Sequence, residues 1–239
     1  MIINPLNLTW FIYMGFLVAL TVVLYTFGKN KDEKRKKGFF SVFFAIACVF
    51  YIWYKALLLK DPGYDTSIWK ELPLALCQVA FIYGYAGVMK KSNVLMCFGV
   101  YVGFLCALMA VVMPVDGFYG IPFFEGRSIG FYGYHGMVIV QSVLVYMLGL
   151  YKPNRRHLPG MLIVLGASAL IAHGLNLLIK ATTGIAANYF FTVDPEGNPV
   201  LALLRGIIPV DYVYLLPLFI PLGIVLYFVI LLMEPREKG

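Results

Sequence analysis

Only a handful of residues in this sequence combine reactive chemistry with an apolar setting. Cys77 with Gln78 beside it, His135, His173 with Asn176 three residues on, and Asp211 all stand in long apolar runs or close to their ends. Ionisable groups in such runs are costly and mark function by default. A thiol in apolar surroundings is inert until a base takes its proton, and a histidine is such a base. Counted from the run ends at the helical rise, Cys77 and His135 each lie about 8 Å in, His173 about 12 Å and Asp211 about 6 Å. Equal depth leaves Cys77 two readings, a packing residue, or a nucleophile with His135 as the general base that takes its proton. The oxyanion would fall to Asn176, Gln78 or a tyrosine.

The same residues admit other readings. His135, His173 and Asp211, with Cys77, are zinc-type ligands for a lipid hydrolase, although no two of them have i, i+4 spacing. A transporter or binding protein would use them as ligand contacts, but its repeats and midplane charges are missing. Each residue also has a structural use. Cysteines in apolar helices pack, which is the reading for Cys48, Cys97 and Cys106. His173 bonds a neighbouring carbonyl, Asp211 caps the last run behind Pro209, and Lys55 snorkels to headgroups. His157, in a basic loop, is solvated.

The elements that must position these groups follow from composition. Of 239 residues, 61% are hydrophobic and 13% charged, against about 45–50% and 25% in a soluble domain. One core cannot hide that much apolar surface, so the excess faces lipid. This excludes a cytosolic enzyme, a disulfide scaffold and a nucleic-acid reader, despite a net charge of +7. A crossing helix needs about 20 apolar residues. Seven runs are taken as spans: 8–27, 39–59, 72–89, 94–114, 130–151, 158–181 and 207–233. They are continuously apolar, not alternating, which excludes a β-barrel. The expectation is an all-α, polytopic, single seven-helix domain over 1–239. With no basic stretch ahead of the first run, that run is read as a permanent span.

Basic residues give the orientation. Lys29, Lys31, Lys34, Arg35, Lys36, Lys37, Lys90, Lys91, Lys152, Arg155, Arg156, Arg236 and Lys238 share one side; Lys60, Lys70, Arg127, Lys180 and Arg205 share the other. The richer side is expected in the cytoplasm, with the N-terminus outside and the C-terminus inside. Trp10, Trp53 and Trp69 then line the outer interface, where aromatic belts sit. The basic run at 29–37 is read as a topology signal. Glycines 99, 103, 130, 133 and 136 offer small faces for close helix packing. Asp194-Pro195-Glu196-Gly197 reads as a type I turn. Nucleophile elbows, phosphate loops and zinc motifs such as His-Glu-x-x-His are absent.

Particular segments carry a likeness. Glu71-Leu-Pro-Leu-Ala-Leu-Cys77, Tyr51-Ile-Trp-Tyr54, Gly103-Phe-Leu-Cys-Ala-Leu with Pro114, His135, and Thr183-Gly184 followed by Asn188-Tyr-Phe-Phe191 occur in one order along nearly the whole chain. In this the chain resembles the YwaF-like bacterial integral membrane proteins and their animal relative, transmembrane protein 164. It departs from them in Ala75, in Pro209-Val-Asp-Tyr212, and in two extra residues before Asn188. The resemblance implies a seven-helix lipid acyltransferase in which Cys77 is the nucleophile and His135 the base. Asn176, His173, Asp211 and Asn188 are then expected at the substrate. No cofactor is implied, the partners are membrane phospholipid or lysophospholipid, and the location is a cell membrane, a bacterial plasma membrane by this likeness.

Overall fold

The structure, a computed structural model, describes residues 2–64, 66–114 and 117–235. Arg236 and Lys238, counted above for orientation, lie outside the described residues. Eight helices form among the described residues: α1 (Leu8–Gly28), α2 (Glu33–Leu58), α3 (Leu76–Lys90), α4 (Asn93–Val112), α5 (Gly126–Met147), α6 (Leu158–Thr183), α7 (Pro199–Ile207) and α8 (Phe219–Met233). The only β pairing among these residues is an isolated bridge between Ile2 and Pro122. Six helical stretches, all but α3 and α7, are long and apolar enough to cross a bilayer. The chain is an all-helical, multi-pass membrane protein.

Two spans differ from their sequence expectation. The run 72–89 becomes helix only from Leu76, for 15 residues, short of the roughly 20 a crossing needs. Pro73 has no N–H to donate and fits only the start of a helix. The Leu74 N–H bonds the Leu72 carbonyl at 2.7 Å, so the stretch before Leu76 is spent in turns. The run 207–233 is helical only from Val213. Ile207 ends α7, Pro209 follows, and Tyr212 takes a left-handed φ of 63°. Asp211 therefore lies in a linker and caps no helix of the run.

The chain divides into two compact units, Met1–Thr66 with Cys77–Tyr151, and Ser67–Leu76 with Lys152–Gly239. In the first, α5 is the central helix. Over its most apolar window 78% is buried, against 28% in α1 and 17% in α2. Small residues permit this. Gly130 lies under the Tyr54 ring, where a Cβ would overlap it, and Gly84 of α3 meets Gly99 of α4 backbone to backbone. Polar side chains of α5 tie the bundle: Gln141 Nε2 donates to the Phe81 carbonyl at 2.8 Å and Ser142 Oγ to the Gly99 carbonyl at 2.7 Å. Tyr13 of α1 donates to the Tyr132 carbonyl at 2.8 Å. The Gly99 carbonyl belongs to a π turn, Phe98–Val102, where the regular helical ladder is interrupted.

In the second unit α6 ends at Gly184, whose φ of 73° is the left-handed cap that glycine adopts at no cost. The short α7 turns Leu201 and Leu204 toward Tyr214 and Leu215. The turn expected at Asp194–Gly197 sits one residue later. The Asn198 N–H bonds the Pro195 carbonyl at 3.0 Å, and the two central residues have positive φ, Glu196 at 48° and Gly197 at 75°. Positive φ at both positions belongs to the primed class, not to type I.

Candidate functional site

Cys77 is the second residue of α3, not five residues into a span. A group in a helix's first turn faces unpaired backbone N–H groups and the positive end of the helix dipole, which favours an anion there. The half-buried thiol has the side chains of His135 and Cys106 as electrostatic neighbours.

His135 comes nine residues after the start of α5 and is buried. Its Nδ1 lies 2.8 Å from the Phe131 carbonyl. A carbonyl oxygen only accepts, so Nδ1 carries the hydrogen. In the neutral ring that leaves the lone pair on Nε2, the nitrogen a base needs. The ring is also held by Phe131, with centroids 4.4 Å apart, and by Tyr134 at 6.1 Å. Tautomer and orientation are thus set by the residue one turn back in the same helix.

Cys106, read from sequence as a packing residue, belongs to the same cluster. Its S–H has the Gly103 carbonyl as acceptor at 3.4 Å, and it is an electrostatic neighbour of Cys77. The signal for it was its matching depth in the next span. Tyr134 is the second residue that sequence reasoning did not single out. Its ring packs on Tyr51 at 4.9 Å and Phe81 at 5.9 Å, and it lies within electrostatic range of Cys77 and Cys106. Gln78 is buried, and its Oε1 has no hydrogen-bond partner among the described residues.

The other expected site residues belong to the second unit, and most have structural partners there. Asn176 is buried; its Nδ2 donates to the Tyr189 carbonyl at 3.0 Å and to Thr192 Oγ1 at 2.9 Å, while its Oδ1 accepts the Tyr189 N–H at 3.0 Å. Through these bonds α6 holds the Tyr189–Phe191 turn in place. His173 Nδ1 stands 3.3 Å from Thr192 Oγ1, and its ring stacks on Tyr212 at 5.8 Å. Asp211 pairs with Arg205 at 2.8 Å. Asn188 accepts the Val193 and Asp194 N–H groups and donates to the Asp194 carbonyl and Glu196, which closes its own loop. Among the described residues no three His, Cys, Asp or Glu side chains are grouped to hold a metal ion, so the zinc reading has no donor set.

A sequence model of the TMEM164 family matches residues 3–232. No curated protein and no solved structure matches the chain.

Proposed function

The chain belongs to the TMEM164 family, and on that premise we propose that it is a membrane-embedded, thiol-dependent lipid acyltransferase with Cys77 as nucleophile and His135 as base. One observation carries the reading. The Cys77 thiol has as an electrostatic neighbour a buried histidine whose Nδ1 is tied to a carbonyl, which leaves Nε2 for the thiol proton.

The steps follow from that arrangement. Nε2 of His135 takes the thiol proton as sulfur attacks the acyl carbon of a phospholipid ester. As the carbon–oxygen ester bond breaks, the departing alkoxide takes the proton back from His135, leaving a thioester and a lysolipid. An acceptor hydroxyl then gives its proton to His135 and attacks the thioester; the carbon–sulfur bond breaks and the thiolate is reprotonated. The N-terminus of α3 and the Cys106 S–H stabilise the sulfur anion, the S–H turning from Gly103 to Cys77. The Tyr134 hydroxyl is assigned to the tetrahedral oxyanion. No soluble cofactor enters, because both substrates are membrane lipids.

In this reading α3 is the seventh crossing, continued toward the surface by the turns before Leu76, which puts the termini on opposite sides. The distribution of lysine and arginine supports an outside N-terminus, with Cys77 in the outer leaflet of a bacterial plasma membrane. Mass spectrometry of intact protein taken from membranes tests the chemistry. A fatty acyl mass on Cys77, removed by hydroxylamine, is the expected result. Lipid flux across liposomes with no thioester and no lipid turnover would sink the proposal in favour of a transporter.

A further inference from the structure

At the other end of the first unit, four helix ends meet around a cavity of about 480 Å³. Such a volume lies within the roughly 300–1,000 Å³ typical of small-molecule sites. Glu33, Lys36 and Lys37 line it from the start of α2, Val88 and Lys91 from the end of α3, and Met96 from the start of α4, with the segment just beyond α5 closing it. Val88 is eleven residues past Cys77, about 16 Å along the helix, so the cavity is separate from the thiol cluster.

Its charge is unbalanced, with three ammonium groups against one carboxylate. Glu33 already serves two of the three, at 2.8 Å from Lys91 and 3.7 Å from Lys37. Two ammoniums are also fixed in place. Lys36 Nζ donates to the Leu148 carbonyl at 2.7 Å, capping α5, and Lys37 Nζ to the Met89 carbonyl at 3.0 Å, near the end of α3. An ammonium has three N–H donors, so each keeps capacity for an anion after serving its carbonyl. Holding the lysines against helix ends also means that little side-chain entropy remains to be lost on binding. Lys91 adopts a left-handed φ of 57°, a conformation that disfavours a non-glycine residue. The apolar wall of Val88 and Met96 suits the glycerol and first methylenes that accompany a headgroup.

We propose that this cavity binds the phosphate of an anionic phospholipid at the membrane surface. A phosphate diester carries one negative charge and four oxygens, and it offsets one of the two excess positive charges without displacing Glu33. Basic pockets at the ends of transmembrane helices hold anionic headgroups by this chemistry. The inference stands apart from the acyl-transfer reading and survives if that reading fails.

The test uses the full chain in nanodiscs of phosphatidylcholine with a fifth of phosphatidylglycerol, with retained lipid counted by native mass spectrometry. The wild type is expected to keep phosphatidylglycerol well above its share of the bilayer. Lys37→Gln with Lys91→Gln should lower that enrichment severalfold, and Glu33→Gln should raise it. Lys91→Gln alone, at an exposed position, covers the case in which the double variant fails to fold. A second arm titrates inorganic phosphate in zwitterionic detergent against chloride at equal ionic strength and follows the thermal midpoint. A rise lost in Lys91→Gln extends the site to free phosphate, while no rise confines it to lipid. Retention of both lipids in proportion to the bilayer overturns the proposal, as does equal retention by the wild type and all three variants.

Discussion

Two polar clusters, one in each unit, contain an apolar-helix histidine, and they differ in what stands beside the ring. Each histidine makes one hydrogen bond, through Nδ1. The neighbour of His173 is the Thr192 hydroxyl, which Asn176 already holds together with the Tyr189 backbone. His135 instead has the Cys77 thiol as an electrostatic neighbour. A buried polar network in which each member is satisfied rigidifies a fold. A buried base beside a nucleophile can take its proton. What separates a structural histidine from a reactive one here is therefore its neighbour, which neither burial nor residue type reports.

The contrast is broken most severely at Cys77. Cys77→Ser should lower acyl loading from labelled phospholipid vesicles by about 10³-fold or more, since a hydroxyl is far harder to ionise than a thiol and residues acting as one unit fail together. His135→Gln should lose about 10²–10⁴-fold, the usual worth of a general base, and the double variant should be little worse than Cys77→Ser. Near-normal loading by Cys77→Ser, with the label mapped to the same peptide, would remove the nucleophile from the argument.

Cys106 sharpens the comparison, because its role is electrostatic and not covalent. Cys106→Ala removes one hydrogen bond to the sulfur anion and should slow loading about tenfold, in keeping with the lower end for bonds to charged groups. Cys106→Ser keeps a donor and should recover most of the rate. If alanine and serine behave alike, the side chain only fills space.

Part of this was legible in the sequence. The bounds of α1 and α6 follow from local chemistry, the Asn7 side chain accepting the Trp10 N–H at 2.8 Å and Gly184 closing the other helix. Six of the seven runs are helices of crossing length. The third is not, because hydropathy averages over Pro73. Cys77 and His135 were paired by equal depth from run ends, yet α3 begins four residues later and α5 four residues earlier than those ends. The two are electrostatic neighbours although Cys77 is the second residue of α3 and His135 lies about two turns further along α5, so a residue's depth belongs to the bundle and not to its own helix. Cys106 was hidden because its approach to Cys77 depends on the contact of Gly84 with Gly99, a tertiary event. The basic run at 29–37 read only as orientation, since the meeting of four helix ends around Lys36 and Lys37 has no local signature.

In the second unit the same logic predicts effects on stability in place of rate. Asn176→Ala leaves the Tyr189 N–H without its buried partner, while the Thr192 hydroxyl keeps His173 and the Tyr189 carbonyl. The orphaned N–H costs about 1–3 kcal/mol, so unfolding in mild detergent should move to lower denaturant. Acyl loading per folded molecule should stay near normal. A large rate loss in a protein of unchanged stability would assign Asn176 to the substrate after all.

The smallest effect is expected at His173, where the substitution tried at His135 makes a direct comparison. His173 Nδ1 reaches Thr192 Oγ1 at 3.3 Å, a long bond, and Thr192 keeps Asn176 as its shorter partner at 2.9 Å. His173→Gln retains a side-chain amide that can offer either a donor or an acceptor to Thr192, and it gives up the stacking on Tyr212. Aromatic contacts of that kind are worth about 0.5–1.5 kcal/mol. Stability should therefore fall by no more than that, and loading should remain within about twofold of wild type, less than the tenfold that 1.4 kcal/mol would mean on the rate. The same glutamine at 135 retains a donor for the Phe131 carbonyl but has no ring nitrogen to accept the thiol proton. If the two substitutions cost similar rate, the neighbouring thiol is not what distinguishes the two histidines, and the assignment of His135 as the base fails with it.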